Sequence, residues 1–208
     1  MSAAGKRRYA RRSADERRQA LVEATIESLK RHGHEGLSVR RIATRAGVSI
    51  GLINHHFPNK DALVAASYRQ FSRQLADGFQ AAVERAPREP RARLSAFIEA
   101  VFAHPNLDPK VLTAWVVFWG LFRQSPEMRR AHREEGRGYG ALPGLLLREL
   151  LKATGRSSSR ARVATIGLTA LLDGLWLEWC LDPKGFRRAE AIALCEEWVE
   201  RVALRTGR

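Results

Sequence analysis

The chain has 208 residues, 45% of them hydrophobic, which is enough for a real core in one medium domain or in a small domain and a larger one. It carries 36 Lys and Arg against 22 Asp and Glu, and a formal charge of +14 favours nucleic acid or another anionic surface as partner. The sequence holds no phosphate-cradling glycine loop, no metal-ligand spacing and no nucleophile elbow. We therefore predict that the protein is not an enzyme and uses no cofactor or metal.

The first twelve residues form a basic segment that we interpret as a flexible arm. Its cations are Lys6, Arg7, Arg8, Arg11 and Arg12. An arm of this kind either lies in a DNA minor groove or is an idle tail, and the sequence leaves both interpretations open. Residues 1–60 together hold thirteen Lys and Arg against five Asp and Glu, so the positive charge is concentrated in this part of the chain.

The cellular location is predicted from the cysteines and the apolar runs. Cys180 and Cys195 lie far apart in separate predicted helices, which is typical of a reduced, cytosolic protein. We expect no membrane contact, because no apolar run reaches the length of a span and the N-terminus lacks the hydrophobic segment of a signal peptide. The chain is expected in the cytoplasm.

The first elements after the arm are two helices with clear boundaries. Ser13 and Glu16 have the spacing of a capping box, which predicts a helix that ends near Gly33. Ser38 can cap a second helix, whose apolar face consists of Val39, Ile42, Ala43 and Ala46. Gly47 should end that helix, because glycine tolerates the left-handed backbone found at helix C-termini.

A third short helix is predicted to begin at Ser49, whose hydroxyl can accept from the free N–H groups of the first turn. Ile53 and Phe57 lie four residues apart and can pack inward together. Two short helices joined by a sharp turn form a helix-turn-helix, whose second helix enters the DNA major groove, although a generic helical hairpin would share the pattern. The predicted DNA contacts are Ser38, Thr44, Ser49, Ile50, Gly51, Asn54, His55, His56 and Lys60.

Lys60 opens the next predicted helix, which runs toward Arg85 until Pro87 and Pro90 interrupt it. A lysine beside the free N–H groups of a helix N-terminus combines its charge with the helix dipole, which favours a phosphate group. We predict a helix-turn-helix domain at 13–60, a connecting helix at 61–86, and a ligand-binding and dimerisation domain at 87–208.

This region resembles the tetracycline-repressor (TetR) family of bacterial regulators in the order and spacing of its residues. The matching residues are Ser38, Ile42, Ala43, Ala46, Gly47, Val48, Ser49, Gly51, Phe57, Lys60 and Leu63. The resemblance implies an all-α regulator that binds double-stranded operator DNA. Most members have tyrosine where this chain has Asn54, so a phosphate-contacting hydroxyl is replaced by an amide suited to a base edge.

The rest of the chain shows no sustained alternation of apolar and polar residues, so we predict that it is helical throughout. The predicted helices are Leu94–His104, Lys110–Gln124, one that starts at Ser125, Leu145–Leu151, Arg160–Leu181 and Arg187–Arg205. The glycines between Gly136 and Gly144, together with Pro143, predict a kink or break. We predict that the last two helices form a homodimer interface, although they could instead close the core of the monomer.

Two sets of residues suggest a ligand site. Trp115, Phe118, Trp119 and Phe122 follow the i, i+3, i+4, i+7 rule and share one helix face, while Asp173 and Trp176 lie three residues apart on a later helix. Aromatic stripes are usually core or interface. The aspartate favours a ligand, because a carboxylate among apolar residues costs free energy unless it finds a partner such as a bound cation.

The segments around Trp115 and Asp173 resemble a choline-sensing subgroup of the TetR family. This resemblance implies a quaternary-ammonium effector such as choline, held by ring faces and one counter-charge. The segment between Gly136 and Gly144 departs from the subgroup's more regular helix, which leaves the shape of the pocket open. The alternatives are a sensor for a drug or a polyamine, and a ligand-independent architectural DNA-binding protein.

Overall fold

A computed structural model describes residues 13–136 and 141–204 of the chain. Within these ranges the protein is all-α without any strand, which confirms the predicted fold class. The ten helices within the described residues are α1 (Ala14–His32), α2 (Val39–Ala46), α3 (Ile50–His56), α4 (Lys60–Arg85), α5 (Pro90–Val101), α6 (Pro109–Leu121), α7 (Pro126–Gly136), α8 (Ala141–Ala153), α9 (Ala161–Leu181) and α10 (Arg188–Trp198). The 3₁₀ turns Gly33–Leu37 and Ser158–Arg160 precede α2 and α9, and a π-helical turn, Val199–Leu204, follows α10.

The first three helices begin and end largely where their polar side chains predict. The backbone N–H of Ser13 donates to Glu16 Oε2 at 2.7 Å and the N–H of Glu16 donates to Ser13 Oγ at 3.2 Å, so the capping box is formed. Gly47 ends α2 in a left-handed conformation, with φ of 66°. Ser49 Oγ accepts from the N–H of Leu52 at 3.3 Å and caps α3.

Ser38 differs from the other two capping serines. It occupies the N-cap position of α2, as predicted, but its side chain makes no capping hydrogen bond. Its ψ is 118°, against 163° for Ser13 and 154° for Ser49, because the preceding 3₁₀ turn brings the chain into the helix differently. The turn was not predicted from the sequence, and it leaves Ser38 exposed without a capping role.

Two helices begin at a proline, earlier in the chain than the sequence predicts. The helix predicted at Leu94–His104 is α5, which begins at Pro90, and α6 likewise begins at Pro109. Proline is well suited to the first helical position because its missing N–H would have no partner there. Pro143 also lies near the start of a helix, in the first turn of α8. The break was predicted between Gly136 and Gly144. Residues 137–140 of that segment lie outside the described residues, but residues 141–144 already belong to α8, so this helix begins before its predicted start at Leu145.

The end of the chain also differs from the prediction of a single helix over Arg187–Arg205. The α-helical part, α10, ends at Trp198, and the next residues form the π-helical turn. Cys195 of α10 is buried and Cys180 of α9 is partly buried, and both thiols are free. Burial raises the pKa of Cys195 to about 12, so this thiol stays protonated at neutral pH.

The packing divides the chain into two units. The first contains the described residues up to Phe71 together with Ala114–Ala131, and the second contains Ser72–Thr113 and the described residues from His132 onward. The division falls inside α4, whereas the sequence predicts boundaries at residues 60 and 87. The first unit gains Ala114–Ala131 because rings of α6 pack on Phe71 and on its neighbour Tyr68 in α4.

The segment Ser158–Leu181 is long and apolar enough to cross a membrane by length and composition alone, contrary to the sequence expectation that no run reaches this length. One such helix is weak evidence for a span. Arg162, Asp173 and Glu178 interrupt the segment, and a charge near the centre of a membrane costs about 3 kcal/mol on insertion scales. Part of the helix is core, since Leu168 and Leu172 are buried in the second unit.

Helices α9 and α10 of the second unit approach each other closely at Gly167 and Trp198. A β-carbon added at Gly167 of α9 would lie 2.3 Å from Cζ2 of Trp198, whose indole covers the glycine. No real β-carbon approaches another atom so closely, so an ordinary side chain at this position would displace the indole or the helix.

We expect Gly167→Ala to lower the free energy of unfolding by about 1–3 kcal/mol, because the added methyl overpacks the contact with Trp198. Gly78→Ala is the matched control. It lies in α4, and a β-carbon there would meet nothing within 4 Å. That substitution should be neutral or raise stability by up to about 1 kcal/mol through helix propensity. Denaturant unfolding followed by circular dichroism measures both, and equal stability of the two variants would contradict the packing argument.

Candidate DNA interface and effector site

Helix α3 presents one buried side and one exposed side, as predicted. Ile53 and Phe57 are each 2% exposed, and the Arg18 guanidinium of α1 lies 4.7 Å from the centroid of the Phe57 ring. The exposed residues are Ile50, Gly51, Asn54 and His55. A β-carbon at Gly51 would meet only Ser49 Oγ, at 3.8 Å, so the lack of a side chain leaves open space on the outer side of the helix.

His56 is the predicted contact that lies least on the surface. It is half-buried, and its ring meets that of His55 edge-on at 5.3 Å between centroids. Burial lowers the pKa of His56, and the nearby His55, Arg17 and Arg18 lower it further. Its Nε2 is buried and has no hydrogen-bond partner in the part of the chain that the structure describes. His56 is therefore neutral at neutral pH, and its contact with DNA stays a prediction.

Three more predicted contacts lie at helix ends or on the outer side of α2. Lys60 is exposed at the first position of α4, directly after Asn59, whose Oδ1 accepts from the N–H of Ala62 at 2.7 Å. This amide cap orders the first turn beside the Lys60 ammonium. Ser38 and Thr44 of the α2 segment are also exposed. These three residues are thus accessible to solvent, and their contact with DNA stays a prediction.

Three of the predicted rings, Trp115, Phe118 and Trp119, lie on α6, and Phe122 directly follows its last residue. All four belong to one aromatic cluster in the first unit. Trp115 and Phe118 are buried, while Trp119 and Phe122 remain half-exposed. Trp115 lies 6.0 Å from Trp119 between ring centroids. The cluster therefore has a buried part, Trp115 and Phe118, and a partly exposed part, Trp119 and Phe122.

Two members of this cluster were not assigned to the site from the sequence. Tyr68 of α4 stacks on Trp115 at 6.0 Å and meets Phe118 at 5.4 Å, and Phe71 lies 5.7 Å from Trp115. Tyr68 also meets Phe122 at 5.1 Å, edge to face. Their three-residue spacing places both on one side of α4, so the pattern marks them as helix-packing residues without naming their partners.

Asp173 and Trp176 lie in the second unit and differ in their surroundings. Trp176 is 5% exposed and its Nε1 donates to the carbonyl of Val101 at 3.1 Å, so its indole holds α9 to α5 as part of the core. Asp173 keeps an exposed side chain, yet the protein around its carboxyl removes enough water to raise its pKa to about 6. Its place in a common site with the rings of α6 stays a prediction.

Two regions of the chain match known families of regulators. Residues 21–67 match the N-terminal region described as bacterial regulatory proteins of the tetR family, and residues 90–204 match the C-terminal region of BetI-type transcriptional repressors. The chain belongs to the TetR family. A curated relative, the HTH-type transcriptional regulator BetI of Yersinia pestis (strain Pestoides F), is 33% identical over 185 residues, 88% of this chain and 91% of that protein.

Two solved structures extend the TetR comparison. A transcriptional regulator from Pseudomonas aeruginosa PAO1 is 43% identical, with a TM-score of 0.84 over 94% of each chain. A regulator from Saccharomonospora viridis, solved in complex with choline, is 21% identical, with a TM-score of 0.76 over 90% of this chain and 97% of that one. At that identity the second likeness shows the fold alone. The matched TetR relatives are transcriptional regulators, so the prediction that this chain is not an enzyme is confirmed.

Proposed function

We propose that this TetR-family regulator is a dimeric repressor that binds a palindromic operator and releases it when a small cation, choline or a close relative, binds the larger domain. The observation that carries the proposal is the aromatic cluster around Trp119 and Phe122, two residues that stay partly exposed in a chain with a BetI-type C-terminal region. Such a regulator would act in the cytoplasm, where bacterial DNA lies.

The chemistry of the rings suits a quaternary ammonium ion. Such an ion has no N–H donor, so it is bound by the negative faces of aromatic rings and by a counter-charge. Each well-placed ring contributes roughly 0.5–2 kcal/mol, and three rings would support a weak to moderate affinity. Asp173 is the acid that the sequence predicts as counter-charge.

Helix α4 offers a route from the effector to the DNA. Tyr68 and Phe71, which contact the rings of α6, lie eight and eleven residues after Lys60 on one uninterrupted helix. At 1.5 Å per residue the separations are about 12 Å and about 17 Å. An effector that rearranges the rings would move Tyr68 and Phe71, and with them Lys60. The resulting shift can be no larger than the effector's preference for the released state.

Apolar side chains on α9 and α10 support the proposed dimer. In α9 four of them keep large exposed fractions: Val163 (64%), Ile166 (56%), Leu177 (39%) and Leu181 (70%). In α10 Leu194 is 50% exposed. An apolar helix side of this extent is typical of an interface, and two such helices from each subunit would build a four-helix contact.

For the dimer, Ile166→Arg should shift the chain toward monomer in sedimentation velocity at micromolar concentration, because a buried unpaired charge would oppose association. Leu145→Arg is the matched control, an exposed leucine (43%) on α8 outside the proposed interface. It should leave the dimer intact. A wild-type chain that sediments as a monomer would refute the dimer and favour the alternative that these helices only close the monomer core.

For the operator, two α3 helices related by a two-fold axis should bind half-sites about one helical turn apart, or a multiple of it. Lys60→Ala should weaken binding to all sequences alike and reduce the salt slope by about 0.9 for each phosphate that the protein no longer neutralises. Asn54→Ala should instead relax the preference at one base position, because only base contacts carry sequence information. Fluorescence anisotropy on operator variants at several salt concentrations separates these effects. Identical behaviour of the two variants would contradict this division of roles.

For the effector, calorimetry should detect choline binding that Trp119→Ala and Asp173→Asn both weaken. A neutral analogue with carbon in place of the ammonium nitrogen should bind poorly, since it removes only the charge. Asp77→Asn, at an exposed acid of α4, is the control and should leave choline affinity unchanged. Equal binding of the neutral analogue would point to a plain hydrophobic pocket, and tighter binding of a polyamine or a drug cation would favour that class of sensor.

A further inference from the structure

The exposed side of α9 carries one acid among apolar side chains. Successive separations of three or four residues place six exposed residues on this side, which we call the α9 face: Val163, Ile166, Ala170, Asp173, Leu177 and Leu181. The opposite side of the helix holds Leu168 and Leu172, which are buried in the second unit. Asp173 therefore belongs to the apolar surface that we assign to the dimer.

The α9 face is open beside Asp173. A β-carbon added at the next residue, Gly174, would meet no atom within 4 Å, and Ala170 carries only a methyl group. The larger side chains of Ile166 and Leu177 lie on either side of this low region. Because a two-fold contact places the same surface of both subunits together, a second copy on the α9 face would enclose the Asp173 carboxyl.

No other residue of α9 compensates the charge of Asp173. Side chains three and four residues away on a helix are its neighbours, and here none of them is charged: Thr169, Ala170, Trp176 and Leu177. The other charged residues of α9 are Arg162 and Glu178. At 1.5 Å per residue, Arg162 is about 16 Å away along the helix, too far for an ion pair.

The elements that pack against α9 also leave this carboxyl without a counter-charge. They are α5, α8, α10, the Ser158–Arg160 turn and the π-helical turn. Their acids, of which all but the first form ion pairs, are Glu99, Glu149, Glu190, Glu196, Glu197 and Glu200. Their cations are Arg91, Arg93, Arg148, Lys152, Arg160, Arg188 and Arg201, and α10 adds the protonated thiol of Cys195. Burial alone raises the pKa of Asp173 to about 6, and none of these groups contributes.

We propose that two copies of the chain enclose the Asp173 carboxyl in its protonated form between their α9 faces, so that association takes up one proton per subunit. A carboxylate without a cation is costly to bury, whereas the protonated acid is neutral and can donate a hydrogen bond. The inference rests on the proposed dimer and not on the operator. A cationic effector held by Asp173 needs the ionised form, so the proton and the effector compete for this carboxyl.

The dimer is therefore expected to loosen as the pH rises. In a separate subunit the carboxyl has a pKa of about 6, so it is mostly ionised at pH 8 and must take up a proton to associate. Well below that pKa it is protonated in both states, and the dissociation constant does not depend on it. Above it the dissociation constant rises by up to about tenfold per pH unit for each proton taken up, until the carboxyl of the dimer also ionises.

Sedimentation velocity with fluorescence detection, at nanomolar to micromolar chain, measures the dissociation constant between pH 6 and pH 8. We expect it to rise by at least about tenfold for the wild type. Asp173→Asn keeps the shape of the side chain and cannot ionise, so its profile should be flat and its dimer the tighter one at pH 8. Glu178→Gln, at an exposed acid of the same helix outside the α9 face, is the matched control and should follow the wild type.

A second readout detects the proton directly. The infrared difference spectrum at pH 7 between the wild-type dimer and Asp173→Asn should contain the carbonyl band of a protonated carboxyl, and circular dichroism confirms that both are folded. A wild-type dimer that follows the asparagine profile, or that lacks this band, would overturn the proposal and leave the dimer intact. So would a weaker asparagine dimer at pH 8, since Asp173 would then be ionised and paired with a cation of the partner subunit. A wild-type chain that is monomeric at every pH would refute the dimer itself, and the inference with it.

Discussion

The contact between α4 and α6 through Tyr68, Phe71, Trp115 and Phe118 is the interaction on which the first unit depends. These rings bury a large apolar area, and edge-to-face pairs add about 0.5–1.5 kcal/mol each beyond burial. Because Tyr68 and Phe71 belong to the helix that begins with Lys60, the packing of the cluster and the position of the Lys60 ammonium are linked by one helix.

The helix-turn-helix was predictable from the sequence because its determinants are local. A serine at a cap, a glycine with φ of 66° and an i, i+4 apolar pair each act within one or two turns. Ser38 shows where local reasoning fails. The same residue type that caps α1 and α3 does not cap α2, because the unpredicted 3₁₀ turn changes its backbone angle.

The surroundings of the candidate ligand-site residues were only partly predictable, because they depend on contacts distant in sequence. The pattern placed four rings on one side of α6, but it could not assign Tyr68 or Phe71 as their partners. It also could not tell that Trp176 donates its N–H to Val101, 75 residues earlier, and so acts as a core residue. Asp173 lies only three residues before Trp176 on the same helix, yet its side chain stays exposed and its carboxyl has a raised pKa.

The closeness of Gly167 to Trp198 makes these two positions behave as one unit under mutation. A side chain larger than hydrogen at position 167 needs the volume that the indole occupies, and a smaller residue at 198 alone would leave a cavity over the glycine. Either change by itself lowers stability, whereas the two together exchange volume across the α9–α10 contact. Evolutionary substitutions at positions 167 and 198 should therefore occur together, and a relative without the glycine should also be without the tryptophan.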